Sequence, residues 1–146
     1  EHVLHGGEWR WLSFVTKGER REALRAPKTR TLLDAVPRLM TGVPFGFAFY
    51  SSLQPGAEIA PHTAPMNLRL RVHIALRVPP GDCALRVAGE THTWRPSEAL
   101  VFDDAYVHSA WNRTDQERVL LLFDVWHPDL KDDEIAAITD MFRRAA

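Results

Sequence analysis

The chain has 146 residues, enough to bury a core without disulfides, and its 45% hydrophobic and 25% charged residues are an ordinary globular mix. A formal net charge of −1 gives no bulk attraction to nucleic acid or to an anionic membrane, and no apolar run approaches the roughly 18 residues of a membrane span. The single cysteine, Cys83, excludes an internal disulfide, argues against a cysteine-based zinc site and favours a reducing compartment.

No repeat, linker or signal-peptide pattern divides the sequence, so one domain over residues 1–146 is expected. The first forty residues mix aromatic and basic side chains. Within them residues 31–40 (TLLDAVPRLM) read as a short helix that Pro37 cuts. From Phe45 onward short strands are expected between turn signals such as Gln54-Pro55-Gly56 and Pro79-Pro80-Gly81-Asp82. The clearest strand is 68–78 (LRLRVHIALRV). Its even positions are all apolar, and its odd positions include Arg69, Arg71, His73 and Arg77. Further strands are expected at 84–88, 99–102 and 119–126. A terminal helix is expected over 132–144, with Asp132, Asp133 and Glu134 at its start and Arg143 and Arg144 at its end, as the helix dipole favours. Many short strands indicate a sandwich or jelly roll. The polar face of 68–78 then faces solvent on an outer sheet, or faces inward and must meet an anion. The strand alone leaves both open.

Seven histidines occur, and two stand in suggestive settings. His62 lies in Ala60-Pro61-His62-Thr63-Ala64-Pro65, and His108 follows Phe102-Asp103-Asp104-Ala105-Tyr106-Val107. Imidazole suits Fe(II), and cupin-like oxygenases join two such histidines from distant strands. The carboxylate that often stands two residues after the first histidine is replaced by Ala64, which cannot ligate. A structural role is the ordinary alternative for each histidine. His92 reads as a strand or turn residue, His127 as packed or capping, and His2 and His5 as near a terminus.

Several separate motifs in order resemble the aspartyl/asparaginyl β-hydroxylase family of 2-oxoglutarate oxygenases. They are residues 26–33 (APKTRTLL), Tyr50-Ser51 with Gln54-Pro55-Gly56, Pro61-His62-Thr63-Ala64-Pro65 with Asn67, and Leu70-Arg71-Val72-His73. They continue with Phe102-Asp103-Asp104, His108, Trp111, Arg118 and 124–130 (DVWHPDL). The resemblance implies an all-β, cupin-like core, a double-stranded β-helix or jelly roll with a few flanking helices. It implies Fe(II), 2-oxoglutarate and O2, with His62 and His108 as the catalytic iron ligands and a small residue, here Ala64, where a carboxylate is usual. By the same resemblance Arg118 and Ser51 hold the distal carboxylate of 2-oxoglutarate, and Arg71 and His73 hold its metal-proximal end.

Arg69 matches a position that binds the substrate's carboxylate, with bracing of Asp103 or Asp104 as the alternative. The family's second substrate arginine has no secure counterpart; Gly6 stands about there, and Arg10 is the nearest substitute. The cysteine pair of the animal members, before Thr31, is missing, which implies a cytoplasmic relative. The activity implied is hydroxylation of an unactivated carbon in a small-molecule or peptidyl substrate, with succinate and CO2 as coproducts. A halogenase using the position left by Ala64 and a non-catalytic cupin-like binding module are the alternatives.

Overall fold

The structure, a computed structural model, describes residues 4–22 and 26–146. The elements in chain order are β1 (Leu4–Gly6), β2 (Trp9–Thr16), β3 (Glu19–Arg20), α1 (Pro27–Asp34), β4 (Ala48–Leu53), β5 (Glu58–His62) and β6 (Arg69–Arg77). They continue with β7 (Cys83–Val87), β8 (Glu90–His92), β9 (Ala99–Phe102), β10 (His108–Asn112), β11 (Arg118–Trp126) and α2 (Asp132–Ala145). The strands form two antiparallel sheets, ordered β1-β5-β10-β7-β8 and β3-β2-β4-β11-β6-β9. The non-sequential neighbours are those of a jelly roll, so the all-β core with flanking helices expected from the sequence is the fold observed.

The sheets are held together by apolar side chains from both inner faces. Ile59, Leu85 and Ala110 of the smaller sheet meet Leu53, Ala75 and Leu120 of the larger. Burying each such side chain is worth about 1.5–3 kcal/mol, so this cluster dominates inter-sheet adhesion. The odd positions of β6 share this inner face: Arg69, Arg71, His73 and Ala75 are all buried, and the alternation ends at the exposed Leu76 and Arg77. Its outer face is covered by α1, whose Leu33 packs with Val72, Leu121 and Phe123.

The helix expected over 31–40 lies earlier, at Pro27–Asp34. Pro27 occupies the first turn, where its missing N–H costs nothing, and the chain leaves the helix before Pro37. The N-terminal strands were not anticipated. In β2 Trp9, Arg10, Trp11 and Leu12 are all at least partly exposed, so no clean two-residue period marks the strand. The terminal helix α2 begins as expected. The Lys131 backbone N–H donates to the Glu134 carboxylate at 2.9 Å, and Ile135, Ile138 and Phe142 pack on Met40, Val43 and Trp126. Among the described residues no helix is long and apolar enough to cross a membrane.

Candidate active site

His62 ends β5 and His108 opens β10, and the antiparallel pairing sets them directly opposite each other. Their ring centroids are 4.1 Å apart with the planes tilted by 56°. Each Nδ1 lies 2.8 Å from the carbonyl oxygen two residues upstream, Ala60 for one and Tyr106 for the other. A carbonyl only accepts, so each Nδ1 carries a proton, and in the neutral ring the lone pair is left on Nε2. That is the tautomer a metal ligand requires, fixed by the backbone. Burial lowers the pKa of His108, against the raising effect of the Tyr106 carbonyl, so its neutral form is favoured. Ala64 lies in the loop after His62, and its N–H donates to the Asp104 carbonyl at 2.8 Å, tying this loop to the one before His108. Among the described residues no group of three or more His, Cys, Asp or Glu is placed to hold an ion. The donor set is two imidazoles, a chemistry that suits a divalent transition metal.

The same cleft is walled by Ser51, Arg71, His73 and Arg118 of the larger sheet, with Trp9 and Phe102 beside them. Its free volume is about 30 Å³. Arg118 is 2% exposed. It donates from one terminal nitrogen to Ser51 Oγ at 2.9 Å, an oxygen that also accepts the Trp9 indole N–H at 2.8 Å. Its guanidinium lies 4.6 Å from the centre of the Trp94 ring. Its Nε is buried with no hydrogen-bond partner among the described residues. Burial pulls its pKa down to about 10, so it stays cationic at neutral pH. His73 accepts the Trp94 indole N–H on Nδ1 at 3.2 Å, and its Nε2 is likewise buried without a partner. Burial, then the charges of Arg118 and Arg71, hold its pKa well below the ordinary value and keep the ring neutral.

The other two inward arginines are neutralised. Arg71 forks onto Asp124 at 2.8 and 3.0 Å, and Asp124 also accepts the Phe47 N–H. Arg69 forks onto Asp104, with a closest approach of 2.6 Å, and donates to the Phe45 carbonyl. Cross-distances of 3.7 Å (Arg71 to Asp104) and 3.8 Å (Arg69 to Asp124) join the four into one array. Burial alone would raise the Asp104 carboxyl, but the Arg69 hydrogen bond and the charges of Arg71 and Arg69 outweigh it, and its pKa is lowered.

Six of the seven residues singled out in the sequence therefore line one cleft: His62, His108, Ser51, Arg71, His73 and Arg118. Arg69 shares their strand face, but its fork is turned to Asp104, the acidic neighbour named as the alternative partner. Gly6 lies in β1, and Arg10 is exposed and paired with Glu8 at 2.7 Å. His92 is exposed, and His127 accepts the Asp129 N–H at 3.2 Å. His2 and the side chain of His5 lie outside the described residues. Trp9 and Trp94 were not foreseen, because neither stands in a motif and their places depend on cross-strand register. Asp124 was visible within 124–130, but its pairing with Arg71 spans 53 residues.

The family model for aspartyl/asparaginyl β-hydroxylase matches residues 2–128. This chain belongs to the aspartyl/asparaginyl β-hydroxylase family. It is 39% identical over 132 residues to the human aspartyl/asparaginyl β-hydroxylase, covering 89% of this chain and 17% of that protein. It is 38% identical over 125 residues to the ornithine lipid ester-linked acyl 2-hydroxylase of Rhizobium tropici, covering 82% of this chain and 42% of that protein. The chain thus spans about a sixth of the length of the first and less than half of the second. In fold the family domain is similar to the cupin domain of Cnp3 from Schizosaccharomyces pombe, with a TM-score of 0.53 at 12% identity over 85% of this chain and 68% of that one.

Proposed function

We propose that this chain is an Fe(II)- and 2-oxoglutarate-dependent hydroxylase. The observation that carries the reading is Arg118: a buried guanidinium with no carboxylate partner among the described residues, in the cleft that holds the histidine pair. A buried cation left in this state is costly unless an anion meets it, and an Arg fork pairs best with a carboxylate. Fe(II), when bound by the Nε2 atoms of His62 and His108, supplies the oxidising chemistry in which 2-oxoglutarate and O2 give succinate, CO2 and a hydroxylated substrate carbon.

In this reading Arg118 and Ser51 take the distal carboxylate, Arg118 through its unpartnered Nε and its terminal nitrogens. The His73 Nε2–H donates to the metal-proximal end, with Arg71 beside it, held in place by its fork onto Asp124. Ile59, Leu85, Phe102 and Leu122 exclude water, which strengthens each of these interactions. A volume of about 30 Å³ holds a water or two, so side chains must part to admit a five-carbon diacid. Arg69 reaches a substrate carboxylate only by giving up Asp104. The relatives' names support an aspartyl- or asparaginyl-type residue or a lipid as the substrate, and a carboxylate-bearing small molecule is the further class the sequence suggests.

The test is calorimetric titration of the metal-loaded protein with 2-oxoglutarate, with succinate release as the activity readout. Arg118→Ala should weaken cosubstrate binding by about 100-fold or more, from the 3–5 kcal/mol lost when a buried charge loses its partner, with metal content retained. Unaltered dependence on 2-oxoglutarate in that variant would overturn the assignment.

A further inference from the structure

We infer that Trp94 is a positioning residue for both anion-binding groups of this cleft, holding His73 as one tautomer and carrying Arg118 on its ring face. Trp94 lies between β8 and β9, is 4% exposed, and is not among the residues that line the cleft. It stands behind the two groups with orphaned N–H donors and touches both. Its Nε1–H meets His73 Nδ1 at 3.2 Å, and its ring centre is 4.6 Å from the Arg118 guanidinium carbon.

The chemistry follows from the donor inventory. An indole nitrogen only donates, so the His73 Nδ1 that receives it must be unprotonated. A neutral imidazole then carries its hydrogen on Nε2, the buried atom with no partner among the described residues. The ring thus offers a donor, and not a lone pair, to whatever occupies the cleft. Phe102 stands edge-on to His73 at 5.0 Å and helps keep the ring in place. Without the indole N–H no other hydrogen bond among the described residues selects the tautomer. The other tautomer would aim a lone pair at an incoming carboxylate, which repels it.

For Arg118 the contribution is different. The negative face of the indole offsets part of the cost of burying a cation that has no carboxylate partner among the described residues. One side chain thereby prepares two donors before the anion arrives, so fewer degrees of freedom are lost on binding.

The role in catalysis rests on the proposed 2-oxoglutarate site, whereas the tautomer itself does not, and the experiment separates the two. Long-range proton–nitrogen NMR of the full chain without added metal or cosubstrate reads the protonated nitrogen of His73, assigned by the signal lost in His73→Gln. The wild type should show Nε2–H alone. Trp94→Phe keeps an aromatic face beneath Arg118 but removes the donor. It should show a mixture of tautomers and a KM for 2-oxoglutarate raised about tenfold, the loss of roughly one hydrogen bond, with kcat within about twofold. Trp94→Leu removes the ring face as well and should raise KM further. An Nδ1–H pattern for His73 in the wild type would overturn the inference without any variant. So would a Trp94→Phe protein with unchanged tautomer and unchanged KM. A tautomer shift in a protein whose wild type does not bind 2-oxoglutarate would uphold Trp94's positioning of His73 and overturn the cosubstrate assignment alone.

Discussion

Three arginines, Arg69, Arg71 and Arg118, are buried inside one sandwich, and what distinguishes them is the partner of each fork. Arg69 and Arg71 are closed by Asp104 and Asp124, while Arg118 meets a hydroxyl and an aromatic face. Replacing Arg118 by a flexible apolar side chain of similar length therefore removes a charge that destabilises the empty fold. Arg118→Met should have a thermal midpoint equal to or above the wild type's while losing 2-oxoglutarate binding; a lower midpoint with intact binding would make Arg118 a structural residue. For the histidine pair the expectation is opposite in kind. His62→Ala and His108→Ala should each abolish stoichiometric iron, measured by elemental analysis, with the sheets intact, because both side chains stand at strand ends. Normal iron content in His108→Ala would put the ion elsewhere. These residues were legible because each sits in a local motif, whereas the closure of Arg69 by Asp104 was foreseen only as an alternative and that of Arg71 by Asp124 not at all. Composition at 68–78 shows four polar side chains on one face but says nothing of carboxylates brought in from residues 104 and 124.

At the level of elements, the Arg69–Asp104 pair joins β6 to the loop before β10, and the Asp104 carbonyl reaches across to Ala64 after β5. Asp104 thus braces both loops that flank the histidines. Asp104→Asn leaves Arg69 without its counter-charge at a 2% exposed position and should cost about 3–5 kcal/mol, read as a lower denaturation midpoint. The same pair predicts acid sensitivity. The Asp104 carboxyl is held below its ordinary value in the fold, so its contribution is fully present above the unfolded value of about 3.9 and is lost as pH falls through the lower folded value. Wild-type stability should fall steeply below about pH 4, and Asp104→Asn should flatten that limb; parallel profiles would remove Asp104 as the cause. The strand β6 itself was readable because its period of two is strict. The strand β2 was not, because it has partly exposed apolar residues on both faces and owes its place to pairing with β4 across about forty residues.

For the whole molecule, the cleft divides its chemistry between the sheets. The histidines come from the smaller sheet, and Ser51, Arg71, His73 and Arg118 come from the larger. A diacid held at one end by Arg118 and at the other beside the histidine pair would tie one sheet to the other, adding to the apolar cluster around Leu53 and Leu120 and to the bond from the Asn112 amide to the Leu53 carbonyl. Binding to the folded state only should then stabilise the chain by about 2.7 kcal/mol at a ligand concentration 100 times Kd. For a chain of this size that corresponds to a rise in Tm of roughly 5–10 °C. The rise should need both sheets' contributions. It should appear with 2-oxoglutarate in the metal-loaded wild type, shrink in metal-free protein, and vanish in Arg118→Ala while any shift caused by the metal alone survives. A full 2-oxoglutarate shift in Arg118→Ala would place the diacid outside the inter-sheet cleft. A metal-loaded wild type with no shift at saturating 2-oxoglutarate would show that the two sheets are not bridged by it.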